Sequence, residues 1–195
     1  MGALKLKVGP ADRGRRMTLD EFAEAEGQPG YRYELSDGVI QVVEFPGLSH
    51  GQVILATNRQ IIPWAVTHGG VLHYYGSGDQ CVIRLPGLQC ELHPDLSFYL
   101  SPSPGGEQPW DRWIPDIVLE VVSAGGETRD YDEKRREYLA AGVREYWILD
   151  PIQHAALILQ RAGDVWREHR PADTYATALL PGFTLDIARL FGGVA

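Results

Sequence analysis

The sequence predicts an α/β domain in which helices flank a central mixed β-sheet. Three consecutive segments carry this prediction: an apolar run at 116–122, a helical pattern at 130–141 and a second apolar run at 145–150. Short runs rich in Val, Ile and Leu are typical of buried strands. A strand, a helix and a strand within about 35 residues form a βαβ-like unit, and such units usually build a parallel pair.

The segments before this unit predict a short helix, a hairpin and a long helix. Thr18 and Glu21 have the spacing of a capping box, which predicts a helix through residue 25. The turn Ser36-Asp37-Gly38 separates strands predicted at 31–35 and 39–43. Apolar residues recur at helical spacing from 50 to about 68, with Ser49 as the predicted cap and Pro63 as a predicted kink or break.

The remaining segments add strands and hairpins around the central unit. Strands are predicted at 71–75, 80–85, 89–92, 96–100, 155–160 and 165–169, and a short strand with a helical turn at 181–191. Residues 1–16 are rich in Gly, Lys and Arg and predict a flexible tail, so that residues 17–195 form a single domain.

Composition excludes several classes of protein. No apolar run approaches the ~20 residues of a membrane span, and the amino-terminal stretch lacks the apolar core of a secretory signal. We therefore expect no membrane partner and a cytoplasmic location, where the two cysteines stay reduced. Their spacing is not that of a zinc site. The net charge of −8 argues mildly against a general nucleic-acid binder, although a metal at an acidic site changes the local field.

A carboxylate interrupts the first strand of the βαβ-like unit. Alternation along a strand places Glu120 on the same face as Asp116 and Val122, among valines. A carboxylate in that position is costly unless something pairs with it. Two interpretations remain open at this point: a buried ion pair, or a carboxylate that binds metal or transfers protons.

A lysine on the following helix is a candidate partner for that carboxylate. Asp130 and Glu133 have capping-box spacing, and Gly142 provides the stop. Lys134 lies on the flank of the apolar stripe formed by Tyr131 and Tyr138. From there it either extends along the stripe to water or reaches across to Glu120.

Several motifs resemble one protein family. The strings PDIVLEVVS, D-x-x-x-K-x-x-x-Y at 130–138 and GVREYWILDP are similar to the Uma2 family of predicted restriction endonucleases, which is placed in the PD-(D/E)xK nuclease superfamily. YELSDGVI at 33–40, SH at 49–50 and HPDLSFYL at 93–100 add weaker matches in the same order. The resemblance covers roughly residues 19–190 and implies a restriction-endonuclease-like fold with additional β-hairpins.

The resemblance implies a metal-dependent catalytic centre. Asp95, which follows a proline, matches the first metal-binding acid of the superfamily, and Glu120 matches the second. The usual lysine stands two residues after the second acid, where this chain has Val122. The resemblance implies that Lys134 replaces it from the next helix. Oxygen ligands of this kind select Mg²⁺ or Mn²⁺, and the metal activates water and neutralises charge on a phosphate.

Three further residues are candidates for the rim of this centre. The family matches include Glu34 and His50. The alternative for Glu34 is an exposed or cross-strand charge, and the alternative for His50 is a structural or solvated histidine. Asp116 shares a strand face with Glu120, and its alternative role is that of a turn residue after Pro115. Tyr138 is interpreted as a core residue.

The combined expectation is a Mg²⁺- or Mn²⁺-dependent endonuclease that hydrolyses the phosphodiester bonds of DNA. Two alternatives remain open: a non-catalytic module that binds nucleic acid or protein on the same fold, and a hydrolase of another phosphoester. A homodimer is possible, since cutting both strands of a duplex suits two symmetric sites.

Overall fold

The computed structural model of the protein describes residues 6–43 and 46–192. The strands are β1 Lys7–Val8, β2 Glu26–Gly27, β3 Arg32–Ser36, β4 Val39–Val43, β5 Tyr74–Gly76, β6 Ile83–Leu85, β7 Cys90–Leu92, β8 Leu96–Tyr99, β9 Ile117–Val121, β10 Glu145–Asp150, β11 Ala155–Ala162, β12 Val165–His169, β13 Thr174–Ala176 and β14 Thr184–Asp186. The α-helices are α1 Leu19–Glu24, α2 Leu48–Thr67, α3 Lys134–Ala141 and α4 Ile187–Phe191.

The chain forms two compact units. The first takes the described residues 6–43 and Val82–His93, and the second takes Pro46–Cys81 and 94–192. In the first unit a four-stranded sheet has the order β4-β3-β7-β6. The predicted hairpin β3–β4 is present, and its turn residues Asp37 and Gly38 both have positive φ, as a two-residue type I′ turn requires.

The amino-terminal part of the first unit contains more structure than a loose tail. Strand β1 pairs in parallel with β2, and Val8 is buried with Met17 and Leu35. The capping box of α1 is confirmed, because Thr18 and Glu21 exchange hydrogen bonds as predicted. Two-residue strands have no measurable period, so the sequence did not reveal β1 or β2. Residues 1–5 lie outside the described residues, and the division into a tail and one domain stays a prediction.

The second unit is built on a six-stranded mixed sheet with the order β12-β11-β10-β9-β8-β5. Strands β9 and β10 are parallel, with Glu120 opposite Ile148, and the other neighbours are antiparallel. The predicted α/β class and the βαβ unit are therefore confirmed. Helix α3 is the crossover between the two parallel strands.

The two faces of this sheet have different coverings. Leu119 and Trp147 belong to the face that packs, in one apolar cluster, with Val53 of α2 and Leu190 of α4. The opposite face of β10 carries Tyr146, whose ring centroid lies 4.8 Å from the ring centroid of Tyr138 on α3. Because alternate residues of a strand face opposite ways, this opposite face is also the one to which Glu120 belongs.

Helix α2 differs from the prediction at Ser49, the predicted cap, and at Pro63, the predicted kink or break. It begins at Leu48 with Gly47 as its cap, so Ser49 lies inside the first turn rather than before it. Pro63 lies inside the helix without ending it. Directly after the proline, Trp64 donates from its indole nitrogen to the carbonyl of Pro181 at 3.0 Å, which anchors the last turn. Among the helices of the described residues, none has the length and apolar character needed to cross a bilayer.

The segment before α3 differs from the predicted capping box. Residues Arg129–Glu133 form a π-helical turn that leads directly into α3, so Asp130 lies within helical backbone and is not an N-cap. Its amide donates to the carbonyl of Gly126 at 3.0 Å. The carboxyl end of α3 agrees with the prediction, because Gly142 adopts the left-handed conformation with φ of 94°.

A buried carboxylate at the start of β10 organises the apolar side of the second unit. Glu145 is 4% exposed and accepts hydrogen bonds from neutral donors: the Trp147 indole at 2.8 Å, the Gln160 amide at 3.0 Å, the Tyr175 hydroxyl at 3.1 Å and the Thr177 hydroxyl at 2.6 Å. Tyr175 belongs to β13 and Thr177 follows it, so this carboxylate ties that strand to the central sheet. A buried carboxylate needs such donors to offset its desolvation.

We expect Glu145→Gln to lower the free energy of unfolding by about 2–4 kcal/mol, because an amide supplies one acceptor oxygen and turns two hydrogens toward existing donors. Urea denaturation measures the change. The matched control is Glu107→Gln, an exposed position, which should shift stability by less than about 0.5 kcal/mol. Equal stability of the two variants would contradict a structural role for the Glu145 cluster.

Candidate active site

Asp95 lies between Pro94 and the first residue of β8. Its Oδ2 atom accepts hydrogen bonds from the backbone amide of Val121 at 2.9 Å and from Nε2 of His50 at 2.8 Å. Both hydrogen bonds that it accepts from described residues fall on Oδ2. The side chain retains 15% exposure, so Asp95 is positioned by β9 and α2 while remaining open to a ligand.

Glu120 lies beside Asp95 on the neighbouring strand. Its side chain is 3% exposed, and its Oε2 atom accepts the backbone amide of Asp95 at 3.3 Å. The other oxygen, Oε1, accepts a hydrogen bond from the Tyr138 hydroxyl. Antiparallel pairing of β8 with β9 places the start of one strand beside the end of the other, and this brings the two acids together.

Lys134 reaches this carboxylate from the first residue of α3. Its Nζ atom lies 2.9 Å from Oε1 of Glu120 and 3.3 Å from Oδ1 of Asp130. The predicted contact between Lys134 and Glu120 is therefore present. The lysine side chain is only 9% exposed, so it does not extend to water. Burial of its ammonium is compensated by ion pairs with these two carboxylates.

The electrostatics of the cluster keep Asp95 ionised. Burial alone raises the pKa of this carboxyl group, but the hydrogen bond and charge of His50, the charge of Lys134 and the Val121 amide together hold the pKa below its usual value. In contrast, burial and the nearby carboxylates of Asp130 and Glu120 raise the pKa of Tyr146 well above its usual value. Asp95 is thus an acceptor at neutral pH, whereas Tyr146 is a neutral hydrogen-bond donor.

The structure does not bring all six predicted residues together. Asp95, Glu120, Lys134 and His50 form one cluster in the second unit. Asp116 lies just before β9, at the end of that strand away from Asp95, where its carboxylate accepts the Leu100 amide at 2.8 Å and pairs with Arg144 at 3.1 Å. This arrangement matches its alternative role as a strand-start residue.

Glu34 lies in the first unit, on β3. It is 1% exposed, and its Oε1 atom accepts the backbone amide of His93 at 3.1 Å. Its burial excludes the interpretation as an exposed surface charge. Its assignment to the rim of the site stays a prediction.

Two residues of the cluster were missed by reasoning from the sequence. Tyr138 is fully buried, as its interpretation as a core residue implies, but its hydroxyl also binds Glu120. Asp130 was interpreted as a helix cap, whereas its carboxylate lies against Lys134. The available signal was the spacing of Asp130, Lys134 and Tyr138, which at i, i+4 and i+8 share one face of a helix.

The cluster offers oxygen ligands for a divalent cation. Within the part of the chain that the structure describes, no three His, Cys, Asp or Glu side chains are grouped in a way that would enclose a metal. Asp95 and Glu120 nevertheless supply two adjacent carboxylates. That donor set fits Mg²⁺, which is usually held by one or two carboxylates and completes its shell with water and substrate phosphates.

Comparisons with known proteins agree on family and fold. A solved structure described as a putative nuclease belonging to DUF820, from Anabaena variabilis, matches with a TM-score of 0.71 at 18% sequence identity, over 92% of this chain and 99% of the other. No curated protein matches the chain. The sequence model of the family described as "Uma2: Putative restriction endonuclease" matches residues 19–188. Since this match spans most of the sequence, the chain belongs to the Uma2 family.

Proposed function

We propose that the protein is a metal-dependent DNA endonuclease with Asp95, Glu120 and Lys134 at its centre. Membership of the Uma2 family supports a nuclease-like function. The observation that carries the finer proposal is the 2.9 Å contact between the Lys134 ammonium and the Glu120 carboxylate, beside Asp95. It supplies the lysine that the strand position of Val122 lacks.

The two acids are suited to hold Mg²⁺ or Mn²⁺. Their carboxylates belong to adjacent strands, and the Asp95 amide fixes Oε2 of Glu120 on the side of Asp95. The carboxylates of Asp95, Glu120 and Asp130 lie close together around Lys134 and His50. A bound dication would interact favourably with the two acids, lower the pKa of bound water and neutralise charge on a phosphate.

The other residues of the cluster position these groups. His50 and the Val121 amide hold Oδ2 of Asp95, while Tyr138 and Lys134 hold Oε1 of Glu120. The ammonium of Lys134 adds a positive charge at the edge of the acid pair. There it is suited to orient an attacking water or to bind a phosphate oxygen.

DNA is the substrate that we propose within the nuclease class. The overall charge of −8 does not favour non-specific binding of polyanions, so binding would depend on local positive charge, including that of the metal. A two-fold dimer remains part of the proposal, because two symmetric sites suit the two strands of a duplex. Sedimentation velocity with and without duplex DNA measures this directly.

The first test concerns the metal. We expect Glu120→Gln to weaken Mn²⁺ binding by at least about tenfold, because an amide oxygen replaces one of two charged ligands. Isothermal titration calorimetry of Mn²⁺ into each protein gives the affinities. Glu107→Gln, which changes an exposed carboxylate to the same amide, is the control and should bind as wild type does. Equal affinities in wild type and Glu120→Gln would remove Glu120 from the metal site.

The second test concerns the lysine. We expect Lys134→Met to reduce the rate of plasmid cleavage with Mg²⁺ or Mn²⁺ by at least about a hundredfold, because it keeps the length of the side chain and removes its charge. Lys7→Met makes the same change at an exposed position and should cleave at the wild-type rate. Thermal denaturation establishes that both variants are folded.

Two outcomes would change the proposal. If Lys134→Met cleaves as fast as wild type, the contact with Glu120 is a structural ion pair and the relocated-lysine assignment fails. If the wild-type protein cleaves neither DNA nor RNA with either metal, a binding module on the same fold becomes the better description, and DNA affinity then separates nucleic-acid binding from protein binding.

A further inference from the structure

The helical segment after β9 carries polar side chains at successive four-residue intervals, and these converge on one carboxylate. Asp130, Lys134 and Tyr138 are 6%, 7% and 0% exposed. Lys134 and Tyr138 contact Oε1 of Glu120 directly. Asp130 reaches it through the lysine, since its Oδ1 atom lies 3.3 Å from Nζ. The ammonium is therefore shared between two carboxylates that belong to different elements.

The backbone of Asp130 is fixed on both sides. Its amide donates to the carbonyl of Gly126 at 3.0 Å, and its carbonyl accepts the hydroxyl of Tyr146 at 2.9 Å. Tyr146 belongs to β10 and is fully buried, so the central sheet itself holds this residue. Asp130 also lies in the π-helical turn Arg129–Glu133, and such turns are frequent at functional sites.

We propose that Asp130 is a positioning residue, whose carboxylate holds the Lys134 ammonium at Oε1 of Glu120. A lysine side chain has four rotatable bonds and gives up considerable conformational freedom when it is fixed by a single partner. A second carboxylate on the sheet-anchored turn restricts the ammonium to one place. Oε2 of Glu120 is then left on the side of Asp95. The consequence for cleavage rests on the proposed nuclease function, whereas the restraint on the lysine does not.

Chemical labelling of lysine measures this restraint without any assay of activity. The chain has lysines only at positions 5, 7 and 134. After brief treatment with acetic anhydride, mass spectrometry therefore gives the extent of acetylation of Lys134 relative to that of the exposed Lys7 in the same protein. We expect Asp130→Asn to raise the ratio of Lys134 to Lys7 acetylation by about tenfold, because it removes one charged partner of the ammonium. Asp130→Glu, which restores the charge, should return most of the protection.

The matched control is Asp132→Asn, which makes the same change at an exposed position of the same turn. It should leave the acetylation ratio at the wild-type value. If Asp130→Asn also leaves the ratio unchanged, the positioning proposal is overturned. If Asp130→Asn unfolds below the labelling temperature, Asp130→Ser carries the same expectation with a smaller side chain, and an unchanged ratio in that variant overturns the proposal equally.

Kinetics with plasmid DNA and Mg²⁺ then connect the restraint to cleavage. We expect Asp130→Asn to lower kcat by about tenfold with KM close to wild type, since the lysine is misplaced while the acid pair remains, and Asp130→Glu to recover part of the loss. A general loss of structure would not be recovered by the longer acid. If wild type does not cleave DNA, the nuclease proposal fails, and the acetylation ratio alone still decides whether Asp130 positions Lys134.

Discussion

The second unit depends on the pairing of one buried carboxylate. Glu120 is the fourth of the five residues of β9, and the other four are Ile, Val and Leu. A charge placed there destabilises the fold unless it receives a compensating charge and hydrogen bonds. Lys134 and Tyr138 supply both, and both come from α3. The crossover helix of the βαβ unit is therefore held over this part of the sheet by polar contacts as well as by apolar packing.

The position of the lysine follows from what surrounds the end of β9. Val122, at which the resemblance to the PD-(D/E)xK superfamily would place a lysine, is fully buried, and its amide donates to the carbonyl of Leu149 on β10. That position thus extends the contact between the two parallel strands. A lysine from α3 approaches Glu120 from the helical layer instead. The Lys134 ammonium thus contacts the Glu120 carboxylate without occupying a position in the paired strands β9 and β10.

The fold was more predictable than the site for identifiable physical reasons. The limits of β10 and the end of α3 at Gly142 follow from local patterns. A short apolar run is typical of a buried strand, and a glycine in the left-handed conformation is typical of a helix end. The approach of Lys134 to Glu120 was predictable from the helical face and from the family resemblance. The contact of Asp130 with Lys134 was not predictable, because the spacing of Asp130 and Glu133 fits a capping box, whereas the structure has a π-helical turn there. The hydrogen bond of Tyr138 to Glu120 was missed for a related reason. A buried tyrosine packs its ring and also donates from its hydroxyl, and the sequence pattern predicts only the packing of the ring.

The ion pair of Lys134 and Glu120 is part of a larger charged cluster. A pair that served stability alone would need one carboxylate for one lysine, and well-packed apolar residues often replace such a pair without loss of stability. Here Asp130 shares the ammonium with Glu120, and Asp95 adds a third carboxylate whose pKa is held low by His50 and Lys134. A buried group of charges of this size is costly for folding unless its members are paired and hydrogen-bonded. The metal-binding role proposed above would account for such a cluster, since perturbed carboxylates often mark functional centres.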